Sequence, residues 1–392
     1  MSGGIVDQVR DAYRTEVGAD PAGVWSAPGR VNLIGEHTDY NAGLCLPIAL
    51  PHRTAVAAGA RSDDRLVLTS LAPGLEPVEV DLGEVSPTVP GGWAAYVAGV
   101  VWALREEGYA VRGLDLVVDS AVPVGAGLSS SAALTCAVAA AADGVFGLGL
   151  LDTEAGRHRL VAAAMRAEND IVGAPTGGLD QTVALFGRAG QALRLDFRSG
   201  EMSAVPVDFA AAGLSLVVCD TRVSHSLADG QYAARRASCE RAAAALGLDS
   251  LRELSPADLG RAEVVAALSA EELRRVRHVV TEIRRVDACV QALRDGDWDE
   301  VGRLFVASHE SLRGDYEVSC VELDAVVSEA LASGALGARM TGGGFGGSAV
   351  VLVPTERVDQ VVAALTERFA SEGWGAPDCF VVTASEAARR DR

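Results

Sequence analysis

The feature that most constrains this chain is a cluster of five glycines in six positions, residues 342–347 with the sequence GGGFGG, directly before an apolar, strand-like run. Glycine in such numbers costs conformational entropy on folding, and an ordinary turn needs only one or two. A close approach of the main chain beside a ligand would explain the excess. A merely flexible loop is the simpler alternative.

A second glycine segment, residues 122–131 with the sequence VPVGAGLSSS, lies between a strand-like run and an alanine-rich helical pattern. Gly125 and Gly127 remove side chains where a ligand could approach the backbone. The serines supply capping hydroxyls. Free amide groups and the positive end of the helix dipole would then converge on an anion. On its own the segment is equally consistent with a βα turn whose glycines serve packing.

Composition excludes several classes of function. A length of 392 residues favours two domains, and a net charge of −19 disfavours nucleic acid and anionic membranes as partners. All 34 basic side chains are arginines, which excludes the lysine-dependent phosphate loop and Schiff-base chemistry. The seven cysteines form no C-x-x-C pair, so neither a disulfide framework nor a zinc site is indicated. No secretion signal and no run of about 20 apolar residues is found, and we expect a soluble, cytoplasmic protein.

Hydrophobic periodicity predicts a mixed α+β chain. Strands are expected near 24–26, 54–58, 66–69, 114–118, 214–218, 349–353 and 379–383. Helices are expected near 5–17, 94–107, 130–146, 157–168, 231–246, 271–292, 298–312, 321–333 and 357–372. A break in the pattern near residues 198–203 places a domain boundary there, giving domains 1–200 and 201–392.

A third segment, residues 26–43 with the sequence SAPGRVNLIGEHTDYNAG, concentrates polar side chains between apolar, strand-like residues. Carboxylates such as Glu36 and Asp39 each accept several hydrogen bonds, which suits the vicinal hydroxyls of a sugar. Arg30 offers a forked cation. A polar turn stabilised by its own side-chain caps is the alternative.

Together the three segments resemble the GHMP small-molecule kinases, and they occur in the order of that family. GRVNLIGEHTDYNAG is similar to the signature of the galactokinases within it, and the other two motifs are VPVGAGLSSSAA and RMTGGGFGGSAVV. The resemblance implies transfer of the γ-phosphoryl group of ATP to the 1-hydroxyl of α-D-galactose, with Mg²⁺. It implies a ribosomal-S5-like N-terminal α/β domain and a ferredoxin-like C-terminal α+β domain, with the active site between them. We expect a monomer whose partners are only its small-molecule substrates, galactose and ATP.

The resemblance also assigns roles to positions of this sequence. Asp180 aligns with the catalytic base and Arg30 with the arginine that pairs with it. The sugar-binding positions are Glu36, His37, Thr38, Asp39, Gly177 and Tyr232. The phosphate loop comprises Gly125, Ala126, Gly127, Leu128, Ser129, Ser130 and Ser131, and the magnesium ligands are Ser131 and Glu168. Ser70, Trp93 and Tyr96 are expected near the nucleotide. Residues 176–179, TGGL, depart from the C-G-I-M more usual before the base.

Taken singly, several of these residues have ordinary interpretations: Asp180 as a helix cap, Glu168 as a surface helix residue, Tyr232 as a core aromatic. Two competing functions also remain. One is another GHMP kinase, acting on N-acetylgalactosamine, arabinose or mevalonate, although the EHTDYN run argues against mevalonate. The other is a non-catalytic regulator that binds galactose and ATP, against which the intact SSSAA run argues.

Overall fold

The computed structural model describes residues 2–174, 176–224 and 228–392; residues 225–227, in the stretch that leads to Tyr232, lie outside it. The strands are β1 (Gly23–Asn32), β2 (Leu44–Cys45), β3 (Pro47–Ala60), β4 (Arg65–Ser70), β5 (Val78–Asp81), β6 (Leu114–Ser120), β7 (Gln191–Asp196), β8 (Met202–Pro206), β9 (Leu214–Ser224), β10 (Gly337–Thr341), β11 (Gly346–Pro354), β12 (Asp378–Val382) and β13 (Arg389–Arg390). The helices are α1 (Ser2–Val17), α2 (Trp93–Glu106), α3 (Ser130–Phe146), α4 (Glu154–Arg166), α5 (Leu179–Phe186), α6 (Ala228–Ala245), α7 (Ala262–Ala267), α8 (Ala270–Asp295), α9 (Trp298–Ser311), α10 (Val321–Ala332) and α11 (Val358–Glu372). No helix in these described ranges is both long and apolar enough to cross a bilayer.

The N-terminal half is built on a six-stranded sheet of order β13-β1-β3-β6-β4-β5, in which only β4 and β6 pair in parallel. Alternate residues of its strands face opposite sides, as the twofold period of a strand requires. Val24, Ala55 and Val117 pack against α1, whereas Trp25 and Val56 belong to the cluster that includes α2, α3 and α4. Helices therefore cover both faces, which explains the nearly continuous burial of β3.

The C-terminal half is built on a four-stranded antiparallel sheet of order β10-β11-β9-β12. Helix α10 contacts β10, β11 and β9, and α9 contacts β10. Helix α8 packs on α9, and α11 packs on α10. The long helix α8 begins at a capping box formed by Ser269 and Glu272 and ends at Gly296 in the left-handed conformation. A small sheet of order β2-β7-β8 lies beside these two.

The predicted strands and helices are confirmed, and the elements that periodicity missed are short or lie next to a turn. Helix α5 has eight residues directly after Gly178, too few to establish a helical period. The break predicted near residues 198–203 falls at the hairpin in which β7 and β8 pair. The boundary at 200/201 stays a prediction, and β13 at the far C-terminus pairs with β1 of the N-terminal sheet.

One feature of the packing places the polar run of residues 35–41 between the two halves. The apolar residues on either side of it, among them Leu33, Ile34 and Leu46, are fully buried in the core of the C-terminal half. Gly35 turns the chain at a φ of 100°, and a Cβ there would lie 2.5 Å from the Leu44 carbonyl oxygen. The apolar flanks therefore anchor a polar loop inside the molecule.

Candidate active site

A cavity of about 240 Å³ opens where the two halves meet. Eight of the residues that the sequence assigns to the site line it: Arg30, Glu36, His37, Asp39, Glu168, Gly177, Asp180 and Tyr232. Asn32, Gly35, Ala174, Thr176, Leu179, Gly342 and Gly343 complete the lining. Residues separated by up to about 300 positions in the chain thus meet around one space, as expected for a ligand site.

Arg30 and Asp180 form an ion pair in this cavity. Arg30 Nη2 lies 2.7 Å from Asp180 Oδ1, and Arg30 Nη1 donates a hydrogen bond of 2.7 Å to the Gly127 carbonyl oxygen. Arg30 follows an irregularity in the pairing of β1 with β3, and Asp180 lies in the first turn of α5. The Asp180 side chain keeps 25% of its exposure, so it is held by the arginine and still accessible to a ligand.

The segment of residues 125–131 leads into the N-terminus of α3 through a series of left-handed residues. Gly125 and Gly127 have φ values of 80° and 72°, and Ser129, which is not a glycine, has a φ of 61°. Ser129 provides no side-chain cap for the helix, and its buried hydroxyl has no hydrogen-bond partner within the described residues. The first amides of α3 and this hydroxyl are therefore left for an anion.

Glu168, in the π-helical turn Ala167–Val172 after α4, points towards the same segment. Its Oε2 accepts a hydrogen bond of 3.1 Å from Ser131 Oγ, and its Oε1 accepts one of 2.8 Å from Gln181 Nε2. Burial raises the pKa of Glu168 to about 7. No Arg or His nitrogen of the described ranges forms an ion pair with it.

Ser131 and Glu168 supply a hydroxyl and a carboxylate, which are ligand types that Mg²⁺ accepts. No group of three or more His, Cys, Asp or Glu side chains suited to a metal occurs in the described residues. Mg²⁺, however, commonly takes only one or two protein ligands and completes its shell with phosphate oxygens and water. A buried carboxylate without a cationic partner, 3.1 Å from a serine hydroxyl, fits that need.

Glu36 links the N-terminal polar run to the glycine cluster at 342–347. Its Oε1 accepts hydrogen bonds from the Gly342 amide (2.6 Å) and from Thr341 Oγ1 (2.9 Å), and its Oε2 accepts one from Asn32 Nδ2. Burial raises its pKa, while Arg339 at 3.6 Å acts in the opposite direction. Glu36 thus lines the cavity and joins both halves.

His37 and Asp39 lie on either side of Thr38 and have contrasting environments. His37 adopts a φ of 61°, and burial lowers its pKa to about 3. Burial raises the pKa of Asp39 to about 6, with Asp180 as a further contribution in the same direction. A Cβ on Gly177 would lie 2.3 Å from Asp39 Oδ2, so a larger residue there would displace the Asp39 carboxylate.

The glycine cluster at 342–347 packs directly on the segment of residues 125–131. A Cβ on Gly342 would lie 2.9 Å from the Gly127 carbonyl oxygen, and one on Gly347 would lie 3.1 Å from the Ala126 carbonyl oxygen. Ser348 Oγ donates a 2.7 Å hydrogen bond to that same Ala126 oxygen. The excess of glycine therefore allows two main-chain loops to approach each other beside the cavity.

Each of the three motifs also holds at least one non-glycine residue in the left-handed conformation: His37 and Ala42 in residues 26–43, Ser129 in residues 122–131 and Phe345 in residues 342–347, with φ values of 61°, 55°, 61° and 60°. Each such residue costs on the order of 1–3 kcal/mol unless the surroundings compensate, and such costs cluster at functional sites.

Eleven predicted site residues do not line the cavity: the seven of residues 125–131, described above, and Thr38, Ser70, Trp93 and Tyr96. The Thr38 hydroxyl donates within its own loop, where it lies 2.6 Å from the Leu44 carbonyl oxygen and 2.9 Å from that of Gly35. Ser70 lies at the end of β4, and Trp93 and Tyr96 lie in the first turns of α2. The nucleotide contacts expected of these last three stay predictions.

Sequence reasoning missed several residues that shape the site. Thr176 Oγ1 lies 3.3 Å from Gln181 Oε1, and Gln181 in turn holds Glu168, so the unusual TGGL stretch still supports this carboxylate. Arg339, fully buried, donates to the carbonyl oxygens of Asn32 and Leu33 at 3.1 Å. An arginine inside an otherwise apolar strand pattern was the one available signal.

Comparison with known proteins gives a consistent result. Residues 11–60 match the galactokinase galactose-binding signature, residues 95–188 the N-terminal domain of GHMP kinases, and residues 289–371 their C-terminal domain. The chain is 48% identical over 390 residues to a galactokinase of Streptomyces coelicolor, covering 100% of both chains. It is 45% identical over 364 residues to one of Mycobacterium tuberculosis strain H37Rv, covering 90% of this chain and 95% of the relative.

Among solved structures, the crystal structure of Lactococcus lactis galactokinase complexed with galactose superposes with a TM-score of 0.90 at 31% identity, covering 97% of this chain and 98% of that one. Methanococcus jannaschii mevalonate kinase superposes with a TM-score of 0.65 at 16% identity, covering 93% and 98%. The second likeness shows a shared fold alone.

Proposed function

Because this chain belongs to the galactokinase family of the GHMP kinases, we propose that its cavity binds galactose beside Asp180 and that residues 125–131 bind the phosphates of ATP. The two-domain GHMP fold expected from the motifs is confirmed. The chain is an ATP-dependent sugar kinase, and its reaction gives galactose 1-phosphate and ADP. What we propose is the role of each residue in this reaction.

The observation that supports these roles best is the pairing of Arg30 with Asp180 at the point where the sugar and phosphate motifs meet. Arg30 contacts Asp180 at 2.7 Å and the Gly127 carbonyl oxygen at 2.7 Å. One guanidinium therefore sets the distance between the proposed base and the proposed phosphate loop. Phosphoryl transfer needs little covalent chemistry from the protein and depends on such positioning.

In the proposed reaction the 1-hydroxyl oxygen of galactose attacks the γ-phosphorus of ATP. The new O–P bond forms as the bond to the ADP oxygen breaks, and the hydroxyl proton passes to Asp180. A carboxylate is a far weaker base than an alkoxide, so the proton leaves as the O–P bond forms rather than before. The Arg30 cation lies beside the position where negative charge accumulates.

Glu36, Asp39, Gly177 and Tyr232 form the sugar side of the proposed site, with His37 beside them. Asp39 is the carboxylate in this group whose oxygens have no side-chain donor among the described residues, which leaves them for sugar hydroxyls.

Ser131 and Glu168 would hold Mg²⁺ together with ATP, and the ion would offset negative charge on the phosphates. The protein's own contribution there is a carboxylate held by Gln181 and a hydroxyl at the start of α3.

We propose that the protein works as a monomer, because residues from both halves of a single chain meet around the cavity. We also propose that the protein is cytoplasmic, since the phosphoryl donor ATP is present in the cytoplasm.

The deciding experiment measures ADP release with a panel of sugars and compares Asp180→Asn with the native protein. We expect turnover with galactose, little or none with N-acetylgalactosamine, arabinose or mevalonate, and a loss of about 10²–10⁴-fold in kcat for the variant. The variant should still fold and bind galactose by calorimetry. Asp287→Asn, which removes a comparable ion pair with Arg194 on the surface, is the matched control. Near-native turnover by Asp180→Asn would contradict the assigned base.

A further inference from the structure

His37 faces the cavity, yet both of its ring nitrogens already have protein partners. Nε2 lies 3.2 Å from the Gly343 carbonyl oxygen, and Nδ1 lies 2.8 Å from the Tyr40 hydroxyl. The Tyr40 hydroxyl lies 2.8 Å from that of Tyr316, which lies 3.1 Å from Cys239 Sγ. Five residues from four parts of the chain therefore form one continuous hydrogen-bonded chain.

The direction of every bond in this chain follows from its first member. A carbonyl oxygen can only accept, so His37 Nε2 carries the proton; the other tautomer would set two lone pairs against each other at 3.2 Å. Burial lowers the pKa of His37 to about 3, so the ring is neutral at pH 7 and Nδ1 is an acceptor. Tyr40 must then donate to Nδ1, Tyr316 to Tyr40, and Cys239 to Tyr316.

Neither Tyr40 nor Tyr316 lines the cavity. Apart from this hydrogen-bonded chain, the Tyr40 ring packs edge-on against that of Tyr232 with centroids 5.7 Å apart, a contact that a phenylalanine would keep. Tyr316 is fully buried at the end of the π-helical turn Leu312–Tyr316, and its ring packs on His37 with centroids 4.7 Å apart. Gly343, at the other end of the chain, does line the cavity, and a Cβ there would lie 3.4 Å from the Tyr232 ring. The chain thus connects the core of the C-terminal half to the wall of the cavity.

We propose that Tyr40 and Tyr316 are positioning residues: by donating along the chain to His37 Nδ1 they hold the Nε2-protonated ring in place, so that it in turn holds the Gly343 peptide on the sugar side of the cavity. His37 then acts through Gly343 rather than as a proton carrier. The inference rests on the proposed function, because the consequence of losing this contact is weaker binding of galactose.

The first test removes one hydroxyl at a time. Tyr40→Phe and Tyr316→Phe should each raise KM for galactose about five- to ten-fold, the factor that corresponds to one hydrogen bond, with kcat and KM for ATP within about two-fold of native. Tyr109→Phe, which loses a hydroxyl bonded to Arg159 far from the cavity, is the control and should change none of them. An unchanged KM for galactose in Tyr40→Phe overturns the proposal.

The second test compares two replacements of His37. In His37→Gln the amide nitrogen takes the place of Nε2 and can still donate to Gly343, whereas in His37→Asn it takes the place of Nδ1 and cannot. The left-handed backbone at this position, with a φ of 61°, favours asparagine over glutamine. A purely structural role therefore predicts that Asn is better in both stability and activity. We expect the His37→Asn protein to be the more stable and the His37→Gln protein to have the lower KM for galactose. If the KM of His37→Asn is equal to or below that of His37→Gln, the proposal is overturned.

The third test does not depend on turnover. The ¹⁵N shifts of the His37 ring, measured on the full chain between pH 5 and 8, should show protonated Nε2 and unprotonated Nδ1 throughout. In Tyr40→Phe the Gly343 contact should keep Nε2 protonated, whereas the Nδ1 shift should move to that of a nitrogen that accepts no hydrogen bond. A ring protonated at Nδ1 in the native protein overturns the proposal. The expected tautomer in a protein that fails to phosphorylate galactose would instead leave the geometry standing and contradict the proposed function.

Discussion

The two ends of the cavity solve the same problem, the placing of polar groups in a protein interior, in opposite ways. At the sugar end, formed by Glu36, His37 and Gly343, the side chains are almost completely buried and are bonded to other protein groups before any ligand arrives. At the phosphate end, formed by residues 125–131 and Glu168, Gly125 and Gly127 are exposed, the three serines are half-buried, and the Ser129 hydroxyl has no partner within the described chain.

The difference follows from the charge of the ligands. A neutral sugar offers only hydroxyl groups, each worth a modest net hydrogen bond, so affinity depends on acceptors and donors that need no reorganisation. A triphosphate forms strong charge-assisted hydrogen bonds, which offset the free-energy cost of ordering a loop and of ionising a buried carboxylate. A rigid sugar end and an incomplete phosphate end are therefore what the proposed chemistry requires.

Arg30 contacts both Asp180 and the phosphate loop, so after the loss of Asp180 itself its removal should have the largest effect. Arg30→Met loses both the ion pair with Asp180 and the bond to Gly127, and we expect kcat/KM to fall about 10²–10³-fold. Arg30→Lys should recover only part of this, because an ammonium cannot make both forked contacts at once. Arg194→Met, which breaks the surface pair with Asp287, should leave steady-state kinetics unchanged. If Arg30→Met changed kcat/KM for only one of the two substrates, Arg30 would not connect the sugar end to the phosphate end.

The pH dependence of stability should have opposite signs at the two ends. The pKa of Glu168 is raised to about 7 by burial, so between about 4.5 and 7 the folded state binds the additional proton and stability falls as pH rises. The pKa of His37 is lowered to about 3, so between about 3 and 6.5 the unfolded state binds the additional proton and stability rises with pH.

The quantity to measure is the unfolding free energy of the native protein minus that of Glu168→Gln. We expect this difference to fall between pH 5 and pH 7 by about 1.4 kcal/mol per pH unit. The difference for His37→Gln should rise with a similar slope from pH 5 to 6. Urea unfolding at each pH measures both. Burial favours the neutral form of both groups, and the slopes differ in sign because one group is an acid and the other a base. Slopes of the same sign would show that one of the two groups is not buried as described.

These contrasts also explain what the sequence could and could not predict. Residue type within a motif pointed to Arg30, whereas Glu168 and Asp180 were predicted by the resemblance to the GHMP kinases, because taken singly each has an ordinary interpretation. The structure brings all three to one cavity. The two glycine clusters were predicted to approach a ligand, and the structure adds that they approach each other at Gly127 and Gly342.

What the sequence could not predict are partners that come from distant parts of the chain. Tyr316, Cys239 and Arg339 look like core or surface residues in their own segments, and only tertiary packing places them behind the sugar end. Thr38 is the opposite case, because its position in the EHTD run predicted a sugar contact. Its hydroxyl has main-chain partners instead.

At the phosphate end, removing the hydroxyl of Ser131 distinguishes two roles for it: a ligand of Mg²⁺, or a support for the Glu168 carboxylate. Ser131→Ala should raise the Mg²⁺ and ATP concentrations needed for half-maximal rate by about 10-fold, with KM for galactose unchanged. Thr135→Val is the matched control, because Thr135 Oγ1 also approaches Glu168, at 3.3 Å, from within α3. Equal effects of the two changes would mean that Ser131 serves only to hold the carboxylate.

The smallest effect on activity should come from Thr38, although it lies in the centre of the sugar motif. Thr38→Val keeps the shape of the side chain but leaves the Leu44 and Gly35 carbonyl oxygens without this donor, which should cost about 1–2 kcal/mol of unfolding free energy. KM for galactose should stay within about two-fold of native, because the hydroxyl does not face the cavity. Thr54→Val, which removes a buried hydroxyl bonded to Ser120 at 2.9 Å, provides a comparison of similar stability cost outside the site. A ten-fold rise in KM for Thr38→Val alone would place Thr38 at the sugar after all and would show that the preformed hydrogen bonds of the sugar end exchange when galactose binds.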